Sequence, residues 1–299
     1  MIADFVPTSI RTPRGNLEYV DTGEGPAVLA LHGVMGGWDQ SMILARTVGA
    51  PACRTLALSR PGYLGTPLEG ARSPEEQADL YTDLLDTLGI PQVAVLAISG
   101  GGPSALHFAL RHPGRCWGLV LVSTVAGPLA GRLPLSFHII TALARWPGFA
   151  TRLRRRLERD PEAAARRSIR DPEARARMLA DPEVSTLYRA LRSSIADRIA
   201  MRLPGTKNDL VATRRRNYPL EEIRVPTLVV HGTKDRVVPF EQHGAVLARR
   251  IPGAEFLSIN DGEHVSLFTH RGEIQARVAR FLRDHAPADL PKHSKESRR

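Results

Sequence analysis

Val93-Ala94-Val95-Leu96-Ala97-Ile98-Ser99-Gly100-Gly101-Gly102-Pro103 is the stretch that decides the fold. The run Val93 to Leu96 is apolar throughout, as a strand covered on both faces of a sheet must be. From Pro103 to Arg111 the pattern turns helical. Ser99 therefore lies on an abrupt strand-to-helix turn. A backbone bent that sharply holds its central residue in strained dihedrals and leaves room only for small neighbours. Ala97 and Gly101 supply them, Ala97 standing where the usual Gly-x-Ser-x-Gly spelling has glycine, and Gly102 adds another. Such a turn mounts a nucleophile. A Gly-rich strand exit that merely packs tightly would read the same way, so the motif needs support from the rest of the chain.

Three more signals fall at the ends of expected strands. Ala27 to Leu31 reads as a buried strand running into His32-Gly33-Val34-Met35-Gly36-Gly37, a tight loop with free backbone N–H groups. Thr227 to Val230 reads as another, followed by His231-Gly232-Thr233-Lys234-Asp235. Last comes Phe256 to Ile259, then Asn260-Asp261-Gly262-Glu263-His264. A fifth element, Ser59-Arg60-Pro61-Gly62-Tyr63, follows a strand expected over Cys53 to Leu58.

In this order these elements resemble the α/β-hydrolase superfamily, from about Asn16 to about Asp284. The stretch Ala97 to Pro103 is similar to a form found in a bacterial branch near proline iminopeptidases and small esterases. The resemblance implies an α/β fold with a mostly parallel central sheet, helices on both faces and a helical cap inserted after the sixth strand. It implies Ser99 as nucleophile, His264 as general base, Asp235 as the acid that orients the imidazole, and an oxyanion hole made by the backbone N–H groups of Val34 and Gly100.

Each role has a plainer competitor. Lys234-Asp235-Arg236 could be an ordinary solvated turn, but in this fold the acid normally follows the seventh strand. Asp261 lies three residues before His264 and is expected to shape that turn. The end of the sixth strand, another place for the acid, carries Ser123-Thr124 and no carboxylate. Of the ten histidines, His32 and His231 end strands beside glycine, where a buried imidazole bonded to backbone is the natural reading. His107 and His112 lie too far along the helix after Ser99 to reach back. His138, His243, His270, His285 and His293 lie in cap, helix or tail contexts, and His264 alone sits in a loop after the last expected strand.

Spacing argues against other chemistries. There is no His-Glu-x-x-His, no Cys-x-x-Cys pair, no Gly-x-x-x-x-Gly-Lys-[Ser/Thr] and no Gly-x-Gly-x-x-Gly after the first strand, so neither a metal nor a nucleotide cofactor is expected. Ser99 also stands where dehalogenase or epoxide hydrolase chemistry would need an aspartate.

A chain of 299 residues with 42% hydrophobic content can bury a large core, and alternating strands and helices argue a sheet covered on both faces. We expect a catalytic core over residues 1–126 and 218–286, a helical cap over 127–217 and a disordered basic tail over 287–299. Ser73-Pro74-Glu75-Glu76 predicts a capped helix start. In the middle region Asp160-Pro161-Glu162, Asp171-Pro172-Glu173 and Asp181-Pro182-Glu183 predict three more, with Asp as N-cap and Pro as first helical residue. Leu133, Phe137, Ile140, Leu143, Trp146 and Phe149 are candidates for an acyl pocket or for plain cap packing, the second being the commoner fate.

The net charge of +10 would ordinarily raise nucleic acid or anionic membranes as partners. Only Lys207, Lys234, Lys292 and Lys295 among the basic residues are lysine, an arginine bias consistent with coding composition, so neither partner is expected. The cluster Arg152, Arg154, Arg155 and Arg156 reads as a solvated helix face. The first residues lack the basic start and long apolar stretch of a signal peptide, and no run of about 20 apolar residues occurs, so a cytoplasmic protein is expected with Cys53 and Cys116 as buried thiols. The leading reading is a serine hydrolase acting on a small carboxylic ester or related acyl substrate through an acyl-enzyme. A proline iminopeptidase-like peptidase is the alternative within hydrolases, weakened by a cap rich in Arg rather than acidic residues. C–C bond cleavage and perhydrolysis fit the same residues. A non-catalytic ligand-binding protein on this fold is the alternative of a different class. Oligomeric state and substrate identity stay open.

Overall fold

A computed structural model describes residues 2–50, 53–129, 141–144, 146, 148–214 and 217–287. Eight strands form one sheet: β1 (Thr8–Thr12), β2 (Gly15–Thr22), β3 (Ala27–Leu31), β4 (Arg54–Leu58), β5 (Val93–Ile98), β6 (Cys116–Val122), β7 (Thr227–Gly232) and β8 (Glu255–Ile259). Their order is β1-β2-β4-β3-β5-β6-β7-β8. Only β2 runs against its neighbours; the rest are parallel. The expected α/β-hydrolase architecture is therefore observed.

Composition explains the layering. β3, β6 and β7 are buried at every position, whereas β8 at the sheet edge alternates between more and less exposed residues. Successive side chains on a strand point to opposite faces. Leu29, Val95, Leu119 and Val229 thus join one core beneath α2 (Pro74–Thr87) and α3 (Gly102–Arg111). Val28, Leu96, Val120 and Val230 join another, packed by α1 (Trp38–Thr47) and, near the C-terminus, by Ile274, Val278 and Phe281. Each such fully buried aliphatic or aromatic side chain contributes about 1.5–3 kcal/mol. The Ser73 start is a capping box, Ser73 and Glu76 each accepting the other's backbone N–H.

Between β6 and β7 lie α4 (Phe149–Arg159), α5 (Pro161–Arg166), α6 (Pro172–Ala180), α7 (Pro182–Ala196) and α8 (Ile199–Ala212). Asp160, Asp171 and Asp181 are their N-caps as expected, each accepting backbone N–H groups of the following turn. The Arg152, Arg154, Arg155 and Arg156 face is exposed. Of the apolar candidates, Phe149 packs against Ala144, Ile199 and Leu203, whereas Trp146 is 68% exposed. Leu133, Phe137, Ile140 and the tail beyond 287 lie outside the described residues. After β7 come α9 (Gly244–Arg250), α10 (Ser266–Thr269) and α11 (Arg271–His285). Cys53 and Cys116 are buried free thiols, pushed up by burial to about 11 and about 12, out of reach of nucleophilic chemistry at neutral pH. Among the described residues no helix is long and apolar enough to cross a membrane.

Helix α8 is the joint between insertion and sheet. Pro204 in its middle interrupts the helical ladder. Gly205 N–H donates instead to Gly62 O, and Met201 O accepts from Leu64 N–H, so the loop after β4 docks into the opened turn. The approach is close enough that a Cβ on Gly62 would lie 2.6 Å from Gly205 N. One turn away Arg202, wholly buried, binds Asp39 of α1 through both carboxylate oxygens at 3.1 and 2.6 Å. Breaking a buried pair by removing one partner strands a charge and costs about 3–5 kcal/mol. Asp39→Ala is therefore expected to lower unfolding free energy by about that amount in urea titrations, and Asp39→Ala with Arg202→Leu to recover most of the loss.

Candidate active site

Parallel strands carry their C-terminal ends to one edge of the sheet, where the loops of an open α/β sheet converge. Ser99 follows β5, the His32 to Gly37 loop follows β3, Asp235 follows β7 and His264 follows β8. Since β5 lies between β3 and β6, the loop bearing Val34 is beside Ser99. Asp235 starts two strand spacings away, roughly 10 Å, and the chain must bring it back.

Ser99 has φ 51°, a left-handed conformation uncommon for any residue but glycine. The turn is held from two sides. Thr124 Oγ1, just past β6, donates to Ser99 O. A Cβ on Gly33 would lie 3.2 Å from Ser99 Cβ, which is why the β3 loop is glycine there. Gly100 is the second residue of the helical turn that begins at Ser99, so its N–H lacks an acceptor within that turn. A Cβ on Gly100 would lie 2.9 Å from Val34 Cγ1 and 3.2 Å from Val34 N, so the two proposed donors stand side by side. The Val34 side chain is 39% exposed.

The loops after β7 and β8 are zipped together by backbone bonds: Thr233 N–H to Ile259 O and Lys234 N–H to Gly262 O, both at 2.9 Å. Asp261 N–H donates to Thr233 Oγ1 at 2.9 Å. Asp261 itself has φ 58° and pairs with Lys234 at the surface, so it shapes the turn as expected. Gly232 is required at the crossing, since a Cβ there would lie 2.2 Å from Gly262 O. The consequence is the contact between Asp235 and His264, Oδ2 to Nδ1 at 2.8 Å.

Asp235 is buried and surrounded by donors. Its Oδ1 accepts Val237 N–H and Val238 N–H, both at 2.9 Å. Its Oδ2 is also 3.5 Å from His231 Nε2, which donates to Val238 O at 2.8 Å. Burial works against the carboxylate charge, but the hydrogen bonds from His231, His264 and the backbone outweigh it and hold Asp235 well below the usual carboxylate range. An ionised carboxylate only accepts, so His264 Nδ1 must carry the proton. In the neutral imidazole that tautomer presents Nε2 as a bare lone pair. Ser99 and His264 share no hydrogen bond among the described residues; contacts of this kind often close only with substrate bound.

His32 is a buried imidazole bonded to backbone, as expected: Nδ1 meets Gly33 O at 2.6 Å and Nε2 accepts Arg60 N–H at 3.0 Å. Burial and then Arg60 keep it uncharged. His112 pairs with Asp79, far from this edge. Five residues around the site carry no signal of such a place in the sequence. Thr124 stands at a strand end that the sequence marks only by the absence of a carboxylate. His231 as a second neighbour of Asp235, and Glu263 accepting Arg170 N–H from the insertion at 2.5 Å, have no motif. Arg60 and Asp209, an ion pair beneath Val34, are separated by 149 residues. No group of three or more potential metal ligands occurs among the described residues. A cavity of about 970 Å³ between α1, α7 and the N-terminal strands contains none of the five candidate residues.

A family model for the alpha/beta hydrolase fold matches residues 26–271. The chain belongs to this family. It is 28% identical over 224 residues to 2-hydroxymuconate semialdehyde hydrolase of Pseudomonas putida, covering 74% of this chain and 73% of that one. It is 29% identical over 254 residues to pimeloyl-[acyl-carrier protein] methyl ester esterase of Aromatoleum aromaticum, covering 82% and 93%. The structure of an alpha/beta hydrolase fold protein from Nakamurella multipartita superposes with TM-score 0.83 at 32% identity, covering 93% of this chain and 99% of that one.

The depressed Asp235 carboxyl has a consequence for acid stability. Its folded-state pKa lies well below its unfolded value of about 3.9, so ionisation contributes its full stability above that pH, and the contribution is lost as pH falls from there through the depressed folded-state value. The stability difference between the native chain and Asp235→Asn, measured by urea unfolding, should be largest near neutrality, begin to shrink below about pH 5 and go on shrinking below about pH 3.

Proposed function

We propose that this protein is a serine hydrolase that cleaves a small carboxylic ester through a covalent acyl-enzyme. The observation that carries the reading is the Asp235–His264 bond, which leaves His264 Nε2 free on the sheet edge where Ser99 is held at φ 51°. In this reading His264 Nε2 takes the proton of Ser99 Oγ as that oxygen attacks the ester carbonyl carbon. The carbonyl oxygen becomes an oxyanion and accepts from Val34 N–H and Gly100 N–H. Asp235 fixes the tautomer and offsets the imidazolium charge without taking the proton.

Collapse of the tetrahedral adduct breaks the C–O bond to the leaving alcohol, which takes the proton from His264. A water molecule then attacks the acyl-enzyme with His264 again as base, releasing the acid and restoring Ser99. The residues at 127–217 act as a cap over Ser99 and set the acyl preference, and residues 1–126 with 218–286 form the catalytic core. No cofactor takes part in these steps.

The family's named relatives support hydrolysis, and they include both an esterase and a semialdehyde hydrolase at nearly equal identity. The substrate panel therefore spans p-nitrophenyl esters of increasing acyl length, 2-hydroxymuconate semialdehyde and prolyl arylamides. We expect turnover on the short esters. Activity confined to the semialdehyde or the arylamides would replace the ester reading with the corresponding one, and no turnover with no labelling would favour a ligand-binding role.

A fluorophosphonate probe should label the native chain, and Ser99→Ala should abolish labelling; labelling that survives removes the nucleophile assignment. Asp235→Asn presents the wrong hydrogen-bonding partner to His264 Nδ1 and should lower kcat on the best ester by about 10³–10⁴, read in steady-state assays. Gly100→Val, which drives a side chain into Val34, should lower kcat by about 10²–10³ by displacing one donor, with KM changed far less.

A further inference from the structure

The loop that presents Val34 is not self-supporting. Gly33 O and Val34 N–H belong to one peptide plane, and in a trans peptide they point in opposite directions. Whatever pins Gly33 O therefore aims Val34 N–H. Gly33 O meets Arg60 Nη2 at 3.3 Å and His32 Nδ1 at 2.6 Å. The preceding carbonyl, His32 O, accepts Arg60 Nε at 2.8 Å, and His32 Nε2 accepts Arg60 N–H at 3.0 Å. One side chain and its own backbone thus hold both peptides that lead into Val34.

Arg60 is held in turn by the helical insertion. Its side chain is 1% exposed, and its guanidinium meets Asp209 of α8 at Nη1 to Oδ1 3.2 Å and Nη2 to Oδ2 2.5 Å. Tyr63 OH donates to the same Oδ2 at 2.6 Å. Burial and Asp209 push the Tyr63 phenol up, so it stays a donor. Burial also opposes the Arg60 charge, but Asp209 more than offsets it. One turn earlier on α8, Thr206 Oγ1 accepts Met35 N–H at 3.0 Å, on the far side of Val34. Met35 has φ 60°, a further constraint on the loop's path. Helix α8 grips the loop on both flanks of the donor.

We propose that Arg60 and Asp209 are positioning residues for the oxyanion donor: the insertion helix, through Asp209, orients Arg60, and Arg60 turns the Gly33–Val34 peptide so that its N–H faces Ser99. This rests on the oxyanion role of Val34 given above. Neither residue touches the reacting atoms. Their effect is on the transition state, where the oxygen carries full charge, and much less on substrate binding. Lysine cannot replace the fork: it keeps the charge for Asp209 but cannot span Asp209 and two carbonyls at once.

The test uses the full chain with Arg60→Lys and Asp209→Asn, each assayed on the best p-nitrophenyl ester with active sites titrated by fluorophosphonate, so that rates refer to folded, reactive Ser99. Arg60→Lys should lower kcat per titrated site by about 10- to 100-fold with KM within about threefold, since misplacement by about 1 Å can cost that much. Asp209→Asn, which retains an acceptor for Arg60 but not the charge, should lose about threefold to tenfold. The second-order rate of phosphonate labelling should fall in parallel, because the phosphonyl oxygen occupies the oxyanion position.

A purely structural role would lower the titratable fraction and leave kcat per titrated site unchanged; that result in both variants overturns the proposal and leaves the Ser99 reading standing. Should Arg60→Lys fail to fold, Asp209→Asn decides alone, kcat per site at the native value counting against the proposal. An unlabelled native chain overturns both readings together.

Discussion

Ser99 is held at φ 51°, a conformation that costs a non-glycine residue about 1–3 kcal/mol and persists only where its surroundings over-determine it. Those surroundings are the parallel strands on either side. β3 delivers Gly33 against Ser99 Cβ, and the chain beyond β6 delivers Thr124 Oγ1 to Ser99 O. Because both strands run parallel to β5, both contacts arrive at the same end of the sheet. The strain and the site are one arrangement: a relaxed turn would let the hydroxyl fall back toward the strand, and wider neighbours would close the space beside it.

The same edge gathers two further constraints of different kinds. The β7 and β8 loops meet through backbone hydrogen bonds across a glycine contact, which sets Asp235 against His264 without relying on either side chain's own preferences. The β3 loop is instead held by side chains, with Arg60 and His32 on its carbonyls and α8 behind them. Core and insertion share an apolar seam in which Met178, Leu187 and Tyr188 cluster with Leu267 and Phe268, and they are also joined by buried ion pairs, Arg202–Asp39 and Arg60–Asp209, and by the docking of Gly62 and Leu64 into the turn opened by Pro204. Buried pairs of this kind add geometric definition more than net stability. Such joints tie the insertion to the loops at the C-terminal edge of the sheet.

Much of this was legible in the sequence, for a definite reason. A strand buried on both faces must be an unbroken apolar run, so Ala27–Leu31 and Val93–Leu96 announced themselves, and parallel strands put their following loops on one edge. Strand ends were less visible. β5 extends to Ile98 and β4 begins at Arg54, one residue after Cys53, because pairing with neighbours and not residue type sets those limits. Asp-Pro-Glu starts were readable since capping is a matter of adjacent residues. Trp146 had no such local signature, and its exposure follows from packing among elements.

By itself, then, the sequence determined what local chemistry can encode: the alternation of strands and helices, the tight turn at Ser99, the glycines of the β3 loop, the helix caps, and Asp235 and His264 as candidates by their place after strands. Only the tertiary structure decided that Asp235 reaches His264 across 29 residues and that Arg60 reaches Asp209 across 149, with His231 as a further neighbour of the carboxylate. Contacts of that span depend on strand order, on the path of the loops and on a helix opened at Pro204. Pro204 is visible in the sequence, but which loop docks against it and which charge meets Asp209 are not, because a buried charge finds its partner through the packing of whole elements.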